Sequence, residues 1–167
     1  MLGTSVFFVI NPDLKDLAIN RGAESFAVAL VMFMGIANAL GRLCVPLLSD
    51  KTGRNFACIM IVATTALGAF CLCFVEGFWL IATIIAVAFC FGGFAGLYPV
   101  LTSDNFGVKN IGSNYGAVMV GFMISALVFP VTLSKIEDQY LKFVILGILA
   151  VIGAVLIITL SLRKNKQ

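Results

Sequence analysis

Apolar and charged positions fall in long blocks along this chain. Seventeen uncharged residues separate Glu24 from Arg42, and seven more follow before Asp50. The later charge-free runs hold 21 residues (Arg54 to Glu76), 27 (Glu76 to Asp104), 25 (Lys109 to Lys135) and 20 (Lys142 to Arg163). About 20 helical residues, each rising about 1.5 Å, cross a hydrocarbon layer about 30 Å thick. The runs therefore predict helices near 24–48, 56–75, 77–101, 111–133 and 141–162. In lipid only helices and closed barrels satisfy their own backbone, and the short alternating strands of a barrel are missing. The fold class is an all-α, polytopic transmembrane helix bundle.

Residues 2–10 are apolar and uncharged but too short to span. No Lys or Arg precedes them and no cleavage site is clear, which argues against a signal peptide. Residues 1–10 read as the end of a truncated transmembrane helix, which makes the chain a fragment and Met1 an internal methionine or a misassigned start. A loop at 11–24 follows.

Composition agrees with lipid burial. Of 167 residues, 61% are hydrophobic and 11% charged, and mean hydropathy is +1.10. Soluble domains carry roughly a quarter charged residues, so polar surface is too scarce to wrap a water-soluble globule. Cys44, Cys58, Cys71, Cys73 and Cys90 lie in apolar stretches and read as buried small hydrophobes. The chain has no histidine, which removes Ser–His triads and histidine-ligated metals. No phosphate-binding glycine loop is present, and no basic cluster suits nucleic acid. An enzyme is not expected, nor is a cofactor or a metal.

The charges orient the bundle. One face carries Lys51, Arg54, Lys109, Arg163, Lys164 and Lys166 against Asp50 and Asp104. The other carries Lys15, Arg21, Lys135 and Lys142 against Asp13, Asp16, Glu24, Glu76, Glu137 and Asp138. The positive-inside rule puts the first face and the C-terminus in the cytoplasm, and the expected location is the cell (plasma) membrane. Small residues at Gly92, Gly93 and Gly96, and again at Gly112, Gly116 and Gly121, are placed where helices should touch.

Chemistry concentrates in two places. The stretch Gly41-Arg42-Leu43-Cys44-Val45-Pro46-Leu47-Leu48-Ser49-Asp50-Lys51-Thr52-Gly53-Arg54 closes one helix, turns tightly and opens the next. Asp50 can accept from helix N-terminal amides, Gly53 permits the turn, and Lys51 and Arg54 can pair with Asp50 or with lipid phosphate. A solvated turn and a gating latch both fit. Arg42 is the one charge inside a predicted span, about two turns from its end, and so within snorkelling reach. Charges within spans are costly and mark functional sites by default. A guanidinium offers a carboxylate two parallel hydrogen bonds. The rival role is a structural ion pair with the Asp50 loop.

Asp50-Lys51-Thr52-Gly53-Arg54 resembles the second-half loop signature of the major facilitator superfamily. Asp104-Asn105-Phe106-Gly107-Val108-Lys109-Asn110-Ile111-Gly112-Ser113-Asn114-Tyr115-Gly116 resembles the loop before the penultimate helix in the oxalate/formate antiporter family and its monocarboxylate-transporter relatives. Asn38-Ala39-Leu40-Gly41-Arg42 is similar to the same family. The resemblance covers residues 1 to about 162. It implies the second half of a superfamily fold, helices seven to twelve, with a missing N-terminal half as partner beside the lipid bilayer. It also implies a secondary transporter of small organic anions such as carboxylates. Arg42 would bind the substrate, Phe94 and Tyr98 would line the cavity, and Asp50, Lys51, Gly53 and Arg54 would form a gating loop. Anion exchange and proton symport are both open.

The chain departs from that family at one point. The oxalate carriers place a lysine a few residues after Tyr-Gly, whereas here no basic residue stands between Lys109 and Lys135. Phe122 occupies or neighbours that place, and Ser125, three residues on, offers a weaker hydrogen bond. One cation favours a monocarboxylate over a dicarboxylate. A transporter of neutral or cationic compounds and a non-transporting membrane bundle remain the alternatives.

Overall fold

The computed structural model describes residues 2–21, 26–136 and 138–164. Six helices follow one another: α1 (Ser5–Asn20), α2 (Ala27–Thr52), α3 (Arg54–Cys71), α4 (Gly77–Phe106), α5 (Ile111–Leu133) and α6 (Gln139–Lys164). No strand occurs among the described residues. Five helices are long and apolar enough to cross a membrane, from Val28–Thr52 to Gln139–Thr159. Large apolar side chains cover the outside: Val28 is 87% exposed, and Leu43, Leu47, Leu127 and Val131 are exposed too. Water would not tolerate so wide an apolar surface. The protein is an integral membrane protein.

α1 runs to Asn20, ten residues past the point where the charge pattern placed a loop. The reason is periodicity. Val6, Val9, Ile10, Leu14, Leu17 and Ala18 recur at helical spacing and are all buried. Asp13, Lys15 and Asp16 fall on the remaining, exposed side. A search for charge-free runs overlooks such a helix. α2 likewise extends to Thr52, so the link to α3 is Gly53 alone. Glu24, Glu137 and Lys166, and the side chains of Arg163 and Lys164, lie outside the described residues.

The tightest seam joins α2 to α4. A Cβ added to Gly41 would lie 2.0 Å from the Phe89 carbonyl oxygen, and one added to Gly92 would lie 2.0 Å from that of Asn38. Only hydrogen fits there, so the two backbones touch, as small residues allow in lipid. Gly93 and Gly96 continue the seam against Val45, Arg42 and Pro46. Gly112 and Gly116 behave otherwise: a Cβ added to either would meet no neighbouring helix within 4 Å. α5 instead uses Gly121, Ser125 and Leu133 as its buried positions.

α3 packs on α6, where Gly147 accommodates the ring of Phe70. Buried apolar residues form two clusters. The larger draws on all six helices and includes Leu17, Leu72, Leu80, Leu133, Phe143 and Leu146. The smaller holds Val45, Ala57, Cys58, Ile61, Phe94 and Leu97 nearer the Gly53 turn. Each of α1, α2, α4 and α5 contains one proline (Pro12, Pro46, Pro99 and Pro130), while α3 and α6 contain none.

Candidate functional site

Arg42 stands ten residues, about 15 Å, before the end of α2 at Thr52, deeper in the span than the charge pattern suggested. Its side chain is exposed, and its Nε donates to Asn38 Oδ1 at 3.2 Å. No carboxylate among the described residues pairs with it. The structural partner that the sequence offered, Asp50, is taken: Arg54 Nη2 lies 3.1 Å from Asp50 Oδ1. Pro46 has no N–H to give the Arg42 carbonyl, so the helix is interrupted at the same level.

Phe94, Tyr98 and Phe122 come together. The rings of Phe94 and Tyr98 are 5.7 Å apart, and Tyr98 meets Phe122 edge to face at 5.5 Å. Three rings that the sequence reading did not single out extend this group. Phe7 stacks on Phe91 at 4.0 Å, and Phe8 meets Phe91 and Phe122 at 5.1 and 6.2 Å. Edge-to-face and offset stacking suit the ring quadrupoles. Phe94 is fully buried, and Ser125 is buried, while Tyr98 and Phe122 are half-buried. The aromatic group thus joins α1, α4 and α5, while Arg42 stands on α2, where its backbone meets Gly96 of α4. An aromatic residue in an apolar run carries no mark of which side it faces, which is why Phe7, Phe8 and Phe91 escaped notice.

The Gly53 turn is built as a clamp. Gly53 has φ 94°, a left-handed value that favours glycine, and its N–H donates to Ser49 O at 2.9 Å. Its carbonyl accepts from Ala57 at 3.0 Å, so one residue ends α2 and starts α3. Asp50 therefore sits inside α2's last turn rather than at a helix N-terminus, and its partner is Arg54 four residues on. Arg54 also pairs with Asp104 in the last turn of α4. Lys51 is exposed and in no ion pair among the described residues. A recess of about 240 Å³ lies here, lined by Gly53, Arg54, Asn55, Phe56, Leu101, Asp104 and Asn105. The charge pattern puts Asp104 on the same face as Arg54, but fifty residues of separation hide their pairing.

The opposite end has a clamp of different chemistry. Arg21, just past α1, donates through Nη1 to the carbonyls of Leu72 and Val75, the latter at 3.2 Å. Its own carbonyl accepts from the Gly77 N–H at 3.0 Å, and its guanidinium lies 5.7 Å from the Phe143 ring centre. Lys142 and Asp13 pair nearby at 3.5 Å. Phe74, Phe78, Trp79 and Tyr140 are exposed at this end, an arrangement suited to a membrane–water boundary. The cysteines are all free; Cys58 and Cys90 are buried, Cys44 and Cys73 half-buried, and Cys71 is exposed rather than buried. No group of possible metal ligands occurs among the described residues.

Comparison with known proteins agrees with this architecture. The chain is 33% identical over 103 residues to an uncharacterized MFS-type transporter, YhjX, of Escherichia coli (strain K12). That stretch covers 60% of this chain and 26% of the relative, so the chain matches about a quarter of that protein's length. No solved structure matches. The sequence profile of the Major Facilitator Superfamily matches residues 1–167. With five apolar helices of spanning length around a glycine seam, the chain belongs to the Major Facilitator Superfamily.

Proposed function

We propose that this chain supplies one side of a secondary transporter for small organic anions, with Arg42 as the carboxylate-binding residue. The observation that carries the reading is the state of Arg42. It lies deep in a span, exposed, with only Asn38 as partner, while the nearby carboxylates are engaged by Arg54. A charge so placed is costly unless a ligand or a neighbouring surface meets it. A guanidinium left open suits a carboxylate, which accepts two parallel hydrogen bonds. Phe122 and Tyr98 meet edge to face as a candidate apolar wall between α4 and α5, and α5 carries no second cation. That combination fits a monocarboxylate with a short apolar body.

Exposed Arg42 calls for polar cover that lipid does not give, which a second bundle would supply, and the site would open alternately to each side as the two bundles rock. The Arg54 clamp is the natural latch for the end it closes, which the charge pattern assigns to the cytoplasm. The test is uptake of a panel of mono- and dicarboxylates by the protein in liposomes. Monocarboxylate uptake should be strongest and should fall at least about 100-fold in Arg42→Gln, the equivalent of about 2.7 kcal/mol. Arg42→Lys should retain part of it. Carboxylate uptake indifferent to Arg42→Gln would overturn the assignment and favour a neutral or cationic substrate.

A further inference from the structure

A second cation faces the same open side as Arg42. Lys15 projects from the exposed side of α1 into a groove of about 430 Å³ shared with Val28, Val31 and Met32 of α2. Apart from Lys15 these walls are wholly aliphatic or thioether, and Lys15 has no carboxylate partner among the described residues. Asp13, two residues away, is turned to Lys142.

Helical geometry joins this groove to the site. Phe8 and Lys15 are seven residues apart, two turns, so they share one side of α1 about 10 Å apart. Phe8 belongs to the ring group with Phe91 and Phe122. On α2, Val31 and Arg42 are eleven residues apart, close to three full turns, so they too share one side, about 16 Å apart. Gly35 and Asn38 lie between them, and a Cβ added to Gly35 would meet no neighbouring helix within 4 Å. The groove thus lies on the Arg42 side of α2 and on the Phe8 side of α1.

We infer that the Lys15 groove is an outer binding station for the transported anion, holding its carboxylate at the ammonium and its apolar body on Val28, Val31 and Met32. This deepens the preceding assignment and rests on it. A flexible ammonium suits a transient stop, since it attracts as a point charge without the fixed two-point grip of a guanidinium. Charge steering also raises the local anion concentration at the mouth of a low-dielectric cleft.

The protein in phosphatidylcholine liposomes, with labelled hexanoate as probe, separates the two ideas. Lys15→Gln should raise KM about 10-fold with little change in maximal rate, flatten the salt dependence of KM, and be largely rescued by Lys15→Arg. Arg42→Gln, measured alongside, should abolish uptake. An unchanged KM in Lys15→Gln, with uptake still dependent on Arg42, overturns the outer station alone. Uptake that survives Arg42→Gln overturns the underlying assignment and this inference with it. Should Lys15→Gln fold poorly, Lys15→Cys provides a second readout through labelling by an anionic methanethiosulfonate. Slowing of that reaction by hexanoate supports the station. No slowing, or slowing only when phosphatidylglycerol is added to the bilayer, overturns it, the latter in favour of a lipid headgroup.

Discussion

Each end of this bundle is fastened by one arginine, and the two fastenings differ in kind. Arg54 holds carboxylates: Asp50 on α2 and Asp104 on α4. Arg21 holds main-chain carbonyls, those of Leu72 and Val75 in the link that follows α3, with its guanidinium near the Phe143 ring. The Arg54 partners are exposed, and the buried cluster beside them is small. The Arg21 end sits over the larger cluster. An exposed ion pair is worth little, and its strength depends on salt. A charged donor to otherwise orphaned helix-end carbonyls contributes more, because its loss leaves acceptors without partners. The comparison suggests one end built to hold and one built to release.

Stability measurements can break that contrast. Unfolding in detergent is readable through a maleimide that fluoresces on reaching buried Cys58 and Cys90, in a Cys71→Ser background because Cys71 is exposed. The largest effect should come from Arg21→Ala, a loss of roughly 2–3 kcal/mol, with Arg21→Lys intermediate. Arg54→Ala should cost less than about 1 kcal/mol, and the difference from the parent protein should shrink in 1 M salt (about 3 Å screening length) while that of Arg21→Ala persists. Smallest should be Lys142→Ala, at most about 0.5 kcal/mol, since the Asp13 pair is long and its carboxylate exposed. Equal costs at Arg21 and Arg54, or equal sensitivity to salt, would erase the distinction between the two ends.

Much of this was readable from the sequence, and the boundary of what was readable is physical. Spans announce themselves because hydrocarbon excludes charge over a fixed thickness, so α2 to α6 stand out as uninterrupted runs. α1 did not, because Asp13, Lys15 and Asp16 sit among its residues and only the 3.6-residue period of its buried side gives it away. The Gly53 turn was visible as a motif, yet its partner Asp104 was not, since pairing across fifty residues depends on how α2 and α4 meet. The glycines tell the same story. Gly92 and Gly112 look alike in sequence, but Gly92 touches the α2 backbone and a Cβ added to Gly112 would meet no neighbouring helix within 4 Å. Arg42 was legible as a charge within a predicted span, while the engagement of Asp50 by Arg54 shows only in the packed helices.

The four prolines have a mechanical consequence. Each deletes one rung of its helix's hydrogen-bond ladder, so bending there sacrifices less than bending elsewhere. All four fall in α1, α2, α4 and α5, and the mated pair α3 and α6 is left with intact ladders. Springs of unequal stiffness share a load unequally, and the soft ones take the strain. Any torque on this bundle will therefore be absorbed by the four helices that carry Lys15, Arg42 and the rings, while α3 and α6 serve as its keel.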